Sequence, residues 1–62
     1  QLENAIAQLP EAERRVVMMR MKSNLAFKEI ANIENCSINT VLGRMHNAKK
    51  RLRELLTEGG ES

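Results

Sequence analysis

The sequence predicts an all-α domain, a four-helix bundle with a three-helix core that contains a helix-turn-helix. Three observations point there. Leu, Met, Ala, Glu, Lys and Arg dominate the composition, and these side chains lose little rotamer freedom in a helix. Apolar residues recur at three- and four-residue spacings through four separate segments. Residues that suit turns and caps stand between the segments: Pro10, Ser23-Asn24, Asn35 and Ser37.

The first helix, about residues 1–8, is read from Leu2, Ala5, Ile6 and Leu9 at i, i+3, i+4 and i+7. Pro10 suits the first turn of the next helix, about 11–22, where its missing N–H costs nothing. Glu11 and Glu13 complement the positive end of that helix. The run Val16, Val17, Met18, Met19 and Met21 is too apolar for a helix buried on one face, so this helix is expected at the centre, with its methionines mostly in the core and one or two of them free to line a partner groove. Asn24 suits a left-handed cap. A short helix follows at about 26–33, with Phe27, Ile30, Ala31 and Ile33 inward and Lys28, Glu29 and Asn32 outward. Asn35 stands where a tight turn needs positive φ, and Ser37 is placed to cap the last helix, about 37–57. That helix carries Val41, Met45, Ala48, Leu52 and Leu55 as one stripe, ended by Gly59-Gly60. One domain over residues 1–57 and a flexible tail over 58–62 are expected.

A chain of 62 residues is small for a hydrophobic core, and one Cys and one His exclude both an internal disulfide and a closed zinc site. No cofactor is expected. Opening on Gln1, the chain reads as a piece of something longer, with neither a secretory leader nor an apolar run long enough for a membrane span. The free cysteine fits a reducing cytoplasm. Catalysis is not expected either, because there is no glycine-rich phosphate loop, nucleophile–base pair or carboxylate cluster.

The net charge of +2 is unevenly placed. Residues 1–43 hold Arg14, Arg15, Arg20, Lys22 and Lys28 against Glu3, Glu11, Glu13, Glu29 and Glu34, which cancel. Residues 44–56 hold Arg44, Lys49, Lys50, Arg51 and Arg53 against Glu54 alone, a balance of +4. Positive charge concentrated on one helix is the footprint of a phosphate-binding face. Residues 26–46 also meet the demands of a helix-turn-helix. Ala31 is small enough for two helices crossing steeply, Ile30, Ile33 and Val41 anchor their angle, and a capped second helix aims its first residues at base edges.

The stretch from Leu9 to Leu52 resembles region 4 of the sigma-70 family, and within it the extracytoplasmic-function group. The resemblance rests on an ordered set: Leu9-Pro10, Glu13-Arg14, Phe27, Glu29-Ile30-Ala31, Ser37, Thr40-Val41, Arg44, and Ala48-Lys49-Lys50-Arg51-Leu52. It spans about 44 of the 62 residues without gaps. It implies a winged-helix-like or sigma region 4 type of fold, and a cytoplasmic domain that recognises the minus-35 promoter element in double-stranded DNA. It further implies docking of the earlier helices on the flap of RNA polymerase or on an anti-sigma factor, and a monomer when isolated. A LuxR-type response-regulator output domain shares the Glu-Arg, Glu-Ile-Ala and Thr-Val elements, but the basic tail after Arg44 favours sigma. A helix-turn-helix that has lost DNA and binds protein is the other alternative.

The candidate DNA-binding residues are Ser37, Asn39, Thr40, Leu42, Gly43, Arg44, His46, Asn47, Lys50 and Arg51. Leu42 and Gly43 stand where many relatives are polar or basic, and Asn47 where Arg is common. These departures suggest Leu42 against a thymine methyl, Asn47 pairing with adenine, and Gly43 permitting close backbone approach. Asn24 and Asn35 replace common glycines, and Ala26 replaces a usual capping Ser. Cys36 is expected to be a small apolar filler in the turn.

Overall fold

The computed structural model describes residues 2–61, with side chains described through residue 57. The order is α1 (Leu2–Ala7), α2 (Glu11–Met21), α3 (Phe27–Glu34) and α4 (Ile38–Glu61). The predicted elements are all present, with ends shifted by at most one residue except at the end of the last helix. A winged-helix-like form needs a strand pair, and the described residues contain no strand.

The 24-residue α4 is the spine, about 36 Å long at 1.5 Å per residue, and the molecule measures 40 × 19 × 16 Å. All three other helices pack against it. Its predicted stripe faces them: Val41 and Ala48 are fully buried, Met45 and Leu52 nearly so, and Leu55 is half-buried. Ala5, Ile6 and Leu9 join this core from the first segment, Val16 and Val17 from α2, and Ile30 and Ala31 from α3.

Local chemistry sets each boundary. Pro10 sits one position ahead of α2 rather than inside it, and its carbonyl accepts the Arg14 N–H at 2.9 Å. After α2, Asn24 takes the left-handed conformation expected of it (φ 54°), and Arg20 binds the loop by donating to the Leu25 carbonyl at 3.0 Å. The same guanidinium lies 5.0 Å from the centre of the Phe27 ring, a cation–π contact. Ala26 has no side chain to cap α3, but Glu29 reaches back and accepts the Ala26 N–H at 2.8 Å. Asn35 closes α3 with φ 57°, and the Cys36 and Asn35 N–H groups return to the Ala31 and Asn32 carbonyls at 3.0 and 3.3 Å. This is the paired closure of a Schellman turn, with asparagine doing what glycine usually does.

Three expectations need correction. Ile33 is 59% exposed, not inward. With Phe27, Ile30 and Ala31 facing the core, the i+7 position belongs to Glu34, and Ile33 lies about 100° around the helix from it. Met18 and Met21 are exposed as well, leaving Met45 as the buried methionine and Met19 half-buried. The inward row of α2 is Glu13, Val16 and Val17, and Met18 is rotated off it. Finally, α4 does not stop at Gly59-Gly60 but continues to Glu61, so residues 58–61 are helical in backbone, and Ser62 lies outside the described residues. Glycine costs about 1 kcal/mol in a helix relative to alanine, a preference that an already propagating helix overrides.

Candidate nucleic-acid interface

The N-terminal end of α4 is fixed by Ser37. Its Oγ accepts the Thr40 N–H at 3.1 Å and lies 3.0 Å from the Thr40 hydroxyl. Ser37 therefore caps as expected, and Thr40 is drawn into the same cap. Beyond it, the outward side of the helix is set by its own geometry. Opposite the buried row of Val41, Met45, Ala48 and Leu52 lie Asn39, Gly43, His46 and Lys50, all exposed, with Leu42 and Asn47 on either flank. Six candidate residues thus share one accessible surface. Gly43 stands near its middle, and a Cβ built there would meet nothing within 4 Å.

Two candidate cations are engaged inside the molecule. Arg51 Nε donates to Glu13 Oε1 at 3.0 Å, across from α4 to α2. Glu13 is 9% exposed, and Arg51 is the one partner its carboxylate has among the described residues. Arg44 Nη1 lies 3.6 Å from Glu34 Oε1 and 3.9 Å from Cys36 Sγ. The Glu34 carboxylate, with its side chain 7% exposed, also receives Arg15 through Nε at 3.2 Å and Nη2 at 3.1 Å. The hydrogen bonds that Arg15 donates to Glu34, then the charge of that carboxylate, with Glu11 adding to both, raise the Arg15 pKa above its ordinary value. Among the described residues Lys49, Lys50 and Arg53 are exposed and have no carboxylate within ion-pair distance.

The two arginines therefore differ. If Arg44 leaves Glu34, the carboxylate keeps Arg15, whereas Arg51 cannot leave Glu13 without stranding a buried charge. Sequence reasoning took Glu13 for a helix-end acid and passed over Glu34. In the folded domain both occupy the core-facing row of their helix, where a carboxylate needs a cation, and it is the packing that turns them there.

Gly43 offers a test with two opposite signs. Gly43→Ala should stabilise the fold by about 1 kcal/mol, since the methyl meets open space and alanine is the better helix former. In a chain this size that is roughly 4–8 °C in Tm. The same variant should bind duplex DNA several-fold more weakly, because the methyl stands in the centre of the outward face. Thermal melts and fluorescence anisotropy on the same samples check both halves; a stabilised variant with unchanged binding would remove Gly43 from the interface.

No helix among the described residues is long and apolar enough to cross a membrane. The arrangement is a capped helix presenting polar side chains, a glycine and cations without an ion-pair partner among the described residues, backed by the three other helices. The family model for sigma-70 region 4 matches residues 1–52, the core, the turn and this outward face together, and the chain belongs to that family.

Proposed function

We propose that this chain reads the minus-35 promoter element with residues 37–51 of its last helix and turn while docked on RNA polymerase. Its family is one of DNA-binding transcription domains rather than enzymes. Within it, this chain is closest to the extracytoplasmic-function group and works in the cytoplasm as a monomeric module of a larger sigma factor. The observation that carries the reading is the outward face of α4, where Asn39, Gly43, His46 and Lys50 lie exposed behind a capped N-terminus beside Lys49 and Arg53, which have no carboxylate partner among the described residues. That is the disposition a helix needs in the major groove: first turns toward base edges, cations toward the flanking phosphates.

The residues divide by what they are free to do. Asn47 pairs with adenine, Leu42 meets a thymine methyl, and Gly43 lets the backbone come close. Asn39 and Thr40 meet bases or phosphates from the first turn, next to the Ser37 cap, and His46 neighbours a phosphate. Lys50 holds phosphate, and Arg44 joins it by exchanging Glu34 for a phosphate oxygen while Arg15 keeps the carboxylate neutralised. Arg51 stays with Glu13 and serves the interface by holding α4 on α2. The polymerase flap, or an anti-sigma factor in its place, meets α1 and α2, where Leu2, Met18 and Met21 are exposed.

Two substitutions separate holding from reading. Arg44→Ala should weaken binding to all duplexes by a similar factor, about 3- to 10-fold at low salt. Asn47→Ala should instead narrow the ratio between matched and mismatched hexamers, by about 5- to 100-fold for a lost bidentate pair. Anisotropy titrations over a set of hexamer variants measure both. A uniform loss in Asn47→Ala would contradict its reading role.

A further inference from the structure

We propose that Ile38 and Leu42 form a two-residue thymine reader on the flank of α4, so that the DNA site contains thymines at neighbouring positions recognised by their methyl groups. This rests on the DNA-reading role proposed above and names the base chemistry that the face selects. Ile38 is the first residue of α4 and Leu42 follows one turn later, so the two side chains stand on the same side of the helix about 6 Å apart along its axis. Both are left uncovered by the fold, 45% and 43% exposed. The thymine methyl is the one apolar group that base pairs display in the major groove, and a helix inserted there addresses base edges with its N-terminal turns.

The neighbours of the pair favour DNA over a protein groove as its cover. Continuing along the same side of α4 come exposed His46, one turn beyond Leu42, and then exposed Lys49 and Arg53, neither of which has a carboxylate partner among the described residues. An apolar couple followed by uncommitted cations matches a duplex edge, methyls inside the groove and phosphates beyond it. A greasy partner helix would bury those cations at a cost. Beside Leu42, the open space at Gly43 leaves room for the helix to approach the bases closely enough for methyl contact.

The experiment selects duplexes with this 62-residue chain from a randomised pool, then replaces each thymine of the enriched site, one at a time, by deoxyuridine, which removes only the methyl. The expected result is a loss of about 3- to 4-fold in affinity at each of two neighbouring thymine positions, the value of one buried methyl. That sensitivity should disappear at one position in Leu42→Ala and at the other in Ile38→Ala. Both variants replace exposed helix residues by a better helix former, and an unchanged helical circular-dichroism spectrum with a cooperative thermal melt verifies that they fold. An enriched site indifferent to deoxyuridine overturns the thymine reader and leaves the DNA-reading role standing. If the pool yields no preferred sequence, the reading role itself fails and takes this inference with it.

Discussion

Ile30→Ala is expected to remove most of the domain's stability. Ile30 is fully buried, on the helix that precedes the turn, in the same core cluster as Val41 and the rest of the α4 stripe. Truncating a buried isoleucine to alanine costs about 2–5 kcal/mol, the transfer term plus the cavity left behind. A domain of this length holds only about 3–9 kcal/mol in total. The expected readout is a Tm lowered by roughly 10–30 °C in a circular-dichroism melt, or no cooperative transition at all. Ile33→Ala is the matched control, with the same chemistry three residues later. At 59% exposure Ile33 should change stability by no more than about 0.5 kcal/mol. Equal effects at the two positions would mean that α3 is rotated from the orientation described.

The second large effect is expected at Arg51. Arg51→Ala leaves the buried Glu13 carboxylate without its cation, at a cost of about 1–3 kcal/mol, since the Arg51 side chain is itself 54% exposed. Arg44→Ala removes a longer contact to a carboxylate that Arg15 still holds through two of its nitrogens, and should cost well under 1 kcal/mol. Denaturant midpoints at constant m compare the two. Adding Glu13→Gln to Arg51→Ala should recover part of the loss by removing the stranded charge. Without recovery, the pair is not what Arg51 contributes. The same contrast bears on function, because the arginine that is costly to detach from the protein is the poorer phosphate ligand.

The elements and the α4 stripe were legible because their signals are local. Apolar periodicity placed four helices, and asparagine tolerance of positive φ placed both turns at Asn24 and Asn35. The ordered motif from Leu9 to Leu52 was sufficient to identify the family. What could not be read was which residue of a helix faces inward when an apolar and a charged one compete. At Ile33 and Glu34 the apolar residue looked like core, yet the rotation set by Phe27, Ile30 and Ala31 turns Glu34 in, and arginines from two other helices neutralise it. Met18 and Met21 failed for the same reason on α2, where Glu13 occupies the inner row. Such pairings join residues far apart in sequence, 38 positions for Glu13 and Arg51, and no local pattern announces them. For the candidate site the exposed face was legible by helical geometry. The division of its cations into paired Arg44 and Arg51 and, among the described residues, unpaired Lys49, Lys50 and Arg53 was not.

The most direct test of DNA reading by α4 is a heteronuclear NMR titration of the labelled chain with duplexes carrying candidate minus-35 elements, at low and moderate salt. The expected result is a set of amide shifts concentrated in residues 37–50 and an affinity that falls with salt, log K dropping by about 0.9 per log unit of salt for each phosphate held. Shifts absent from that face, but appearing over residues 2–21 when the polymerase flap or another protein is added, would contradict the account and make this helix-turn-helix a protein-binding module.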